Sequence, residues 1–100
     1  MIVHISAEAK HDLRAIGDYI ARDNPDRAIG FMQELRAQCL ELADQPEIFP
    51  LVPRYERHGI RRKTHGNYII FYRIEKKRVV VIHVLHGARD YLPILGPEPG

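Results

Sequence analysis

YIIFYRIEKKRVVVIHVL, residues 68–85, is the stretch whose reading decides the fold. Tyr68 to Ile74 and Val79 to Leu85 are two nearly continuous apolar runs, rich in β-branched and aromatic residues. That composition suits central strands covered on at least one face. The charged EKKR between them, residues 75–78, reads as a hairpin loop. A third run, Ile60 to Lys63, precedes them and makes the set a meander. Upstream again, the prolines at 46, 50 and 53 interrupt any ladder between Pro46 and Gly59, so this stretch is a connector that Phe49, Leu51 and Val52 tack to the core.

The first half of the chain supplies the cover. Ser6 is a natural helix N-cap with Glu8 in the first turn, and Ala9, Leu13, Ile16 and Ile20 recur at helical spacing. Asn24-Pro25 ends that helix and starts another, since the residue before a proline leaves the α region and proline suits a first turn. Ala28, Phe31, Met32, Leu35, Cys39 and Leu42 then form a second stripe running to about Ala43, before Gln45-Pro46 stops it. Two helices joined this tightly form an antiparallel hairpin. With Ile2 to Ile5 as a short strand, the order is β-α-α-β-β-β. The expected class is α+β, a helical hairpin packed on a small, mainly antiparallel sheet, with the hairpin as the only available cover.

One hundred residues, 45% hydrophobic and 28% charged, suffice for one domain with a modest core. We place it at residues 1–95, with 96–100 as a frayed tail, because PILGPEPG from Pro93 holds three of the seven prolines and two of the seven glycines. No run has the length of a membrane span, and MIVHISAEAK lacks the apolar stretch of a signal peptide, which points to the cytoplasm. The net charge of +2 is uneven. Residues 1–50 carry five Lys/Arg against nine Asp/Glu, whereas residues 51–100 carry ten against four. A basic half opposite an acidic one favours an anionic partner on one face.

Six histidines raise the question of a metal, but none stands at a recognised ligand spacing with Cys or a carboxylate, and no metal or cofactor is expected. Cys39 lies on the apolar stripe of the second helix and reads as a small buried hydrophobe. No GxGxxG, P-loop or GxSxG pattern occurs. What remains is basic: Arg54, Arg57, Arg61, Arg62 and Lys63 fall within ten residues, interleaved with Tyr55 and His58. Such charges protect an edge strand from pairing with another chain; they also build a docking surface for phosphate or carboxylate from guanidinium forks. The segment from His86 to Tyr91 adds an imidazole, Arg89 and a phenol at a strand end, types that suit a charge clamp or proton transfer.

ARDNPDRA at 21–28, LVPRYERHGIRR at 51–62, HGNYIIFYRI at 65–74 and VVVIHVLHGARDY at 79–91, in this order, resemble the ParE branch of the RelE/ParE toxin superfamily over Ile2 to about Leu95. The resemblance implies a small bacterial toxin of the plasmid stabilisation type, encoded beside a ParD-like antitoxin. The disordered C-terminal segment of such an antitoxin wraps and neutralises the toxin. It further implies a protein that binds and poisons DNA gyrase, without sequence-specific DNA binding of its own and without a membrane. We assign the target-facing and partner-facing contacts to Arg54, Arg57, Arg61, Arg62 and Arg89, with Tyr91, Leu92 and Leu95 from the trailing segment, and the antitoxin contact to the hairpin. The alternative is a RelE-like ribosome-dependent endonuclease, for which Arg89, Lys63 or Arg62, His65, His86 and Tyr91 are the candidates. In that branch an arginine follows the aromatic residue opening the strand that matches YIIFY. Here Ile69 follows Tyr68, and Tyr91 stands closer to Arg89 than the nuclease tyrosine does, so the cleavage set is incomplete. A toxin fold that has kept only partner binding is the third reading.

Overall fold

The two apolar runs form the centre of a four-stranded sheet, ordered β1-β4-β3-β2, in a computed structural model that describes residues 1–96. In chain order the elements are β1 (Ile2–Ile5), α1 (Ala7–Asp23), α2 (Pro25–Leu40), β2 (Arg61–His65), β3 (Tyr68–Glu75), β4 (Arg78–His86) and α3 (Leu92–Leu95). Single 3₁₀ turns stand at Glu41–Ala43 and Glu56–His58. The meander β2-β3-β4 is antiparallel, as its short connections require, and β1 lies parallel to β4 at the far edge. The class is α+β. Of the tail expected at 96–100, Gly96 is described and its carbonyl accepts from Tyr55 Oη, while 97–100 lie outside the described residues.

The helices start and stop where their chemistry directs. Ser6 Oγ accepts from the Ala9 amide at 3.1 Å, and Asn24 Oδ1 accepts from the Arg27 amide at 3.0 Å. Asn24 is the only residue between the helices, and Gly17 and Met32, about equally far from it in sequence, meet across the hairpin. The pair is therefore antiparallel. The second helix is α-helical only to Leu40, three residues short of the expected end, and closes in the 3₁₀ turn that buries Leu42.

Both hairpins of the meander are tighter than expected. Glu75 pairs with Arg78, so the EKKR loop narrows to Lys76 and Lys77, which take positive φ of 49° and 63°. Two consecutive left-handed residues match the twist of the flanking strands, as a type I′ turn does. The β2–β3 turn is Gly66-Asn67, with φ of 58° at Gly66. β2 starts at Arg61 rather than Ile60, and it extends to His65 because pairing continues to Tyr68.

One irregularity sets which side chains face which way. Phe71 pairs with His83 and Tyr72 with Val81, leaving Ile82 as an extra residue on β4. Across this bulge the helix-facing set changes from Val79 and Val81 to Val84. The unpaired Ile82 carbonyl accepts from Ser6 Oγ at 3.1 Å while the Ser6 amide donates to Val81 O at 3.0 Å, so the cap of α1 is pinned to the bulge.

The sheet has two covered faces, which corrects the expectation that the hairpin is its only cover. Under the helices, Ala9, Ile16, Phe31, Leu35, Cys39 and Leu42 pack on Ile70, Tyr72, Val79, Val81 and Val84. On the opposite face, Ile69, Phe71 and Leu85 are covered by Val52, Tyr55 and Ile60 of the connector, with Tyr91, Leu92, Ile94 and Leu95 packed alongside. The connector and the C-terminal segment thus build a second, smaller core, and both central strands are apolar on successive residues because both faces are buried.

Candidate partner-binding surface

The basic run of the second half does not form one patch, because strand alternation and the connector divide it. Arg61 turns to the helix side, where its guanidinium donates to Phe49 O at 2.6 Å and Glu47 O at 3.1 Å, clamping the connector. Lys63 is buried to 8% exposure; its Nζ donates to Gln38 O at 3.1 Å near the end of α2, lies 3.4 Å from Glu41 Oε2 and sits 5.2 Å from the centre of the Phe49 ring. His65 stacks on Phe31 at 5.7 Å, with Nε2 3.8 Å from Glu34 Oε1. Arg62 is half-buried beside Phe71 in register, with its amide bonded to Pro50 O. Arg57 is exposed on the 3₁₀ turn.

What the fold does bring together is the end of β4. His86 and Arg89 are exposed there, and Arg89 lines two adjoining hollows. One, of about 180 Å³, is walled by Asp12, Tyr19, Tyr68 and His86; the other, of about 360 Å³, by Pro53, Arg54, Asp90, Tyr91 and Leu92. Arg54 enters from the connector with φ of 75°. Arg89 is therefore shared between an aromatic, imidazole-bearing hollow and an arginine-bearing one. His86 is fixed by its Nδ1 accepting from the Ala88 amide at 3.1 Å and by edge-on packing against Tyr68 at 5.3 Å. Phe31 continues this aromatic row to Arg27, whose guanidinium sits 5.0 Å over its ring. Burial raises the Tyr68 phenol above its ordinary value, with the neighbouring Tyr19 adding to it. The lysines, by contrast, stay outside both hollows.

Three features escaped sequence reasoning. Asp12 Oδ2 lies 2.7 Å from His83 Nδ1 and accepts from the Val84 amide at 3.0 Å, tying α1 to the bulged strand. Seventy-one residues separate that pair, and no local signal marks it. Tyr55 was legible only as an aromatic residue among arginines, yet it is 1% exposed and holds the second core. The third is the outer groove of the hairpin, about 400 Å³, floored by Leu13, Gly17 and Met32 and flanked by Arg14 and Arg36. A Cβ at Gly17 would stand 3.4 Å from Met32 Cγ, in contact with the methionine across the hairpin. Tyr19 and Ile29 of the hairpin are 65% and 63% exposed. Among the described residues no cluster of three metal-ligating side chains occurs, and no helix is long and apolar enough to cross a membrane. Cys39 is fully buried, and burial pushes its thiol up to about 11.

Solved structures share this arrangement. The chain superposes with a TM-score of 0.73 on one from "Chromosomal ParDE TA system from P. aeruginosa", at 20% identity over 86% of this chain and 95% of that one. It matches a chain of the toxin-antitoxin complex RelBE2 from Mycobacterium tuberculosis with a TM-score of 0.64, at 22% identity over 85% and 95%. No curated protein matches the sequence. A helical hairpin over a four-stranded sheet is thus a fold shared with ParE/RelE-like toxins. Residues 3–91 match the family model for the ParE toxin of the type II toxin-antitoxin system parDE, and the chain belongs to that family.

Proposed function

We propose that this toxin acts by binding, with DNA gyrase as its target, and that a ParD-like antitoxin neutralises it. The observation that carries this reading is the placement of Lys63. A nuclease site needs cations converging on one scissile phosphate to stabilise charge developing in the transition state. Here Lys63 is committed to a helix-end carbonyl under α2, and Ile69 is buried on the opposite face of the sheet. Neither reaches the hollow that holds Arg89 and His86. The target surface is then the end of β4 with the segment at 91–95, and the antitoxin tail lies along the hairpin groove. There, Arg14 and Arg36 complement acidic groups while Leu13 and Met32 accept apolar ones.

One observation favours the second reading, a RelE-like endonuclease: Arg89, His86 and Tyr68 do face one hollow. Two reactions separate the readings. With gyrase, ATP and supercoiled plasmid, the purified toxin is expected to leave linear DNA after protein digestion, and an added cognate antitoxin to prevent it. Codon-specific mRNA cuts on translating ribosomes, lost in Arg89→Ala, would replace binding by catalysis.

A further inference from the structure

We infer that Tyr55 is the positioning residue for the C-terminal recognition segment: its buried hydroxyl holds residues 91–96 in the conformation that the target reads. The inference rests on the proposed role of that segment in target binding. It starts from a mismatch between the order of the segment and its means of support. α3 spans only Leu92–Leu95, and its cap residue Tyr91 makes no side-chain cap bond. A helix of one turn does not persist in water on its own bonds. Its local bonds are few: Ile94 and Leu95 amides donate to Tyr91 O at 3.0 and 2.9 Å, and the Leu92 amide donates to Asp90 Oδ1 at 3.2 Å.

Hydrogen bonds from outside the segment reach it from a residue 37 and 41 positions away. Tyr55 Oη lies 3.2 Å from Leu92 O and 2.7 Å from Gly96 O, so one hydroxyl proton serves the first carbonyl of the turn and the first beyond it. Carbonyls at a helix end need an outside donor, and the phenol supplies it from a protected site. Tyr55 is itself rigid. Its ring is buried with Val52, Ile60 and Phe71, its amide donates to Val52 O at 3.0 Å, and its carbonyl accepts from the His58 amide at 3.0 Å. Apolar contacts on the second core from Leu92, Ile94 and Leu95, with the Tyr91 ring on Phe71 at 5.0 Å between centroids, hold the segment down but leave its carbonyls to the phenol. Fixing both ends of the turn sets the direction in which the exposed side of the segment and neighbouring Arg89 face outward.

The test is Tyr55→Phe, which keeps the ring and removes only the donor. Amide exchange at Ile94 and Leu95 should rise about fivefold to tenfold, the loss of one net hydrogen bond, while exchange at Ile70 and Val81 in the main sheet stays at the wild-type rate. In cells lacking antitoxin, the inducer dose that arrests growth should rise several-fold, because less of the toxin is in the binding-competent form. Antitoxin affinity should not change. Unchanged exchange at Ile94 and Leu95 would overturn the inference. So would faster exchange throughout the sheet, which marks a purely structural tyrosine, or a loosened segment with undiminished growth arrest. The gyrase reaction is scored separately: a wild type that arrests growth without trapping gyrase refutes the target, and the Tyr55→Phe dose shift still decides the positioning role. A wild type that does not arrest growth refutes both.

Discussion

Replacing Lys63 distinguishes a lysine that serves the fold from one that serves a reaction. Its ammonium donates to Gln38 O and lies near Glu41, but that carboxylate is 60% exposed, so the ion pair itself contributes about 0–1 kcal/mol. The bond to the carbonyl is charge-assisted and worth about 1.5–3 kcal/mol, of which part returns when no ammonium has to be desolvated. Lys63→Met, which keeps the stem against Phe49, should therefore cost about 1–2 kcal/mol. Lys63→Ala also removes three buried methylenes at about 0.8 kcal/mol each, for a total of about 3–4 kcal/mol. For a domain of this size about 1 kcal/mol moves Tm by about 4–8 °C, so the melts should separate clearly and rank wild type, Met, Ala. Growth arrest by the Met variant should persist at temperatures where it is folded. A Lys63→Met protein that melts with wild type while its toxicity falls tenfold would refute the reasoning and return the lysine to a site.

Other outcomes follow from the turns and the core. Lys76 and Lys77 hold left-handed conformations that cost most side-chain-bearing residues about 1 kcal/mol each, and asparagine relieves part of that cost and glycine nearly all, so Lys76→Asn with Lys77→Gly should recover about 1.3 kcal/mol and raise Tm by about 5–10 °C; an unchanged or lower Tm contradicts the turn geometry. Burial pushes the Cys39 thiol to about 11 and the Tyr72 phenol to about 12, the latter despite the opposing pull of Arg61. The unfolded chain therefore loses these protons first. Stability should be level up to about pH 9 and then fall through pH 11–12, with Cys39 alone contributing about 2–3 kcal/mol of the loss. Denaturant midpoints at pH 8, 9.5 and 11 check this, and Cys39→Ala should flatten the earlier part of the decline.

Local chemistry made most of the fold legible. Ser6 and Asn24 announce their helices because a side-chain oxygen placed before an apolar stripe has one useful job, and the structure gives both that job. The meander followed from apolar runs too long for anything but central strands. What was hidden depends on partners distant in sequence. Ile2–Ile5 gives no hint that it runs parallel to Arg78–Val81, and the apolar runs of β3 and β4 were assigned the hairpin as their only cover, although the connector and the C-terminal segment bury a second face. The candidate surface was legible in part. Arg89, Arg54 and Tyr91 do converge, whereas Arg61 and Lys63, indistinguishable from them as letters, point to the helix side because a strand alternates and carbonyls of the connector and of α2 accept from them there.

The parallel edge strand also governs when the molecule comes into being. Ile2 to Ile5 are synthesised before the rest of the fold, and among the described residues their strand partners are Arg78 to Val81. Closing a loop of that span is slow compared with making the hairpins inside it. During synthesis the helical pair and the meander therefore precede the final sheet, and the first strand waits unpaired until Arg78 to Val81 have been made. The end of β4, with Arg89 beyond it, emerges later still. A nascent chain thus exposes its helical groove before the surface around Arg89 is complete, an order of assembly that, on the roles proposed for these two surfaces, gives a neutralising partner the first opportunity to bind.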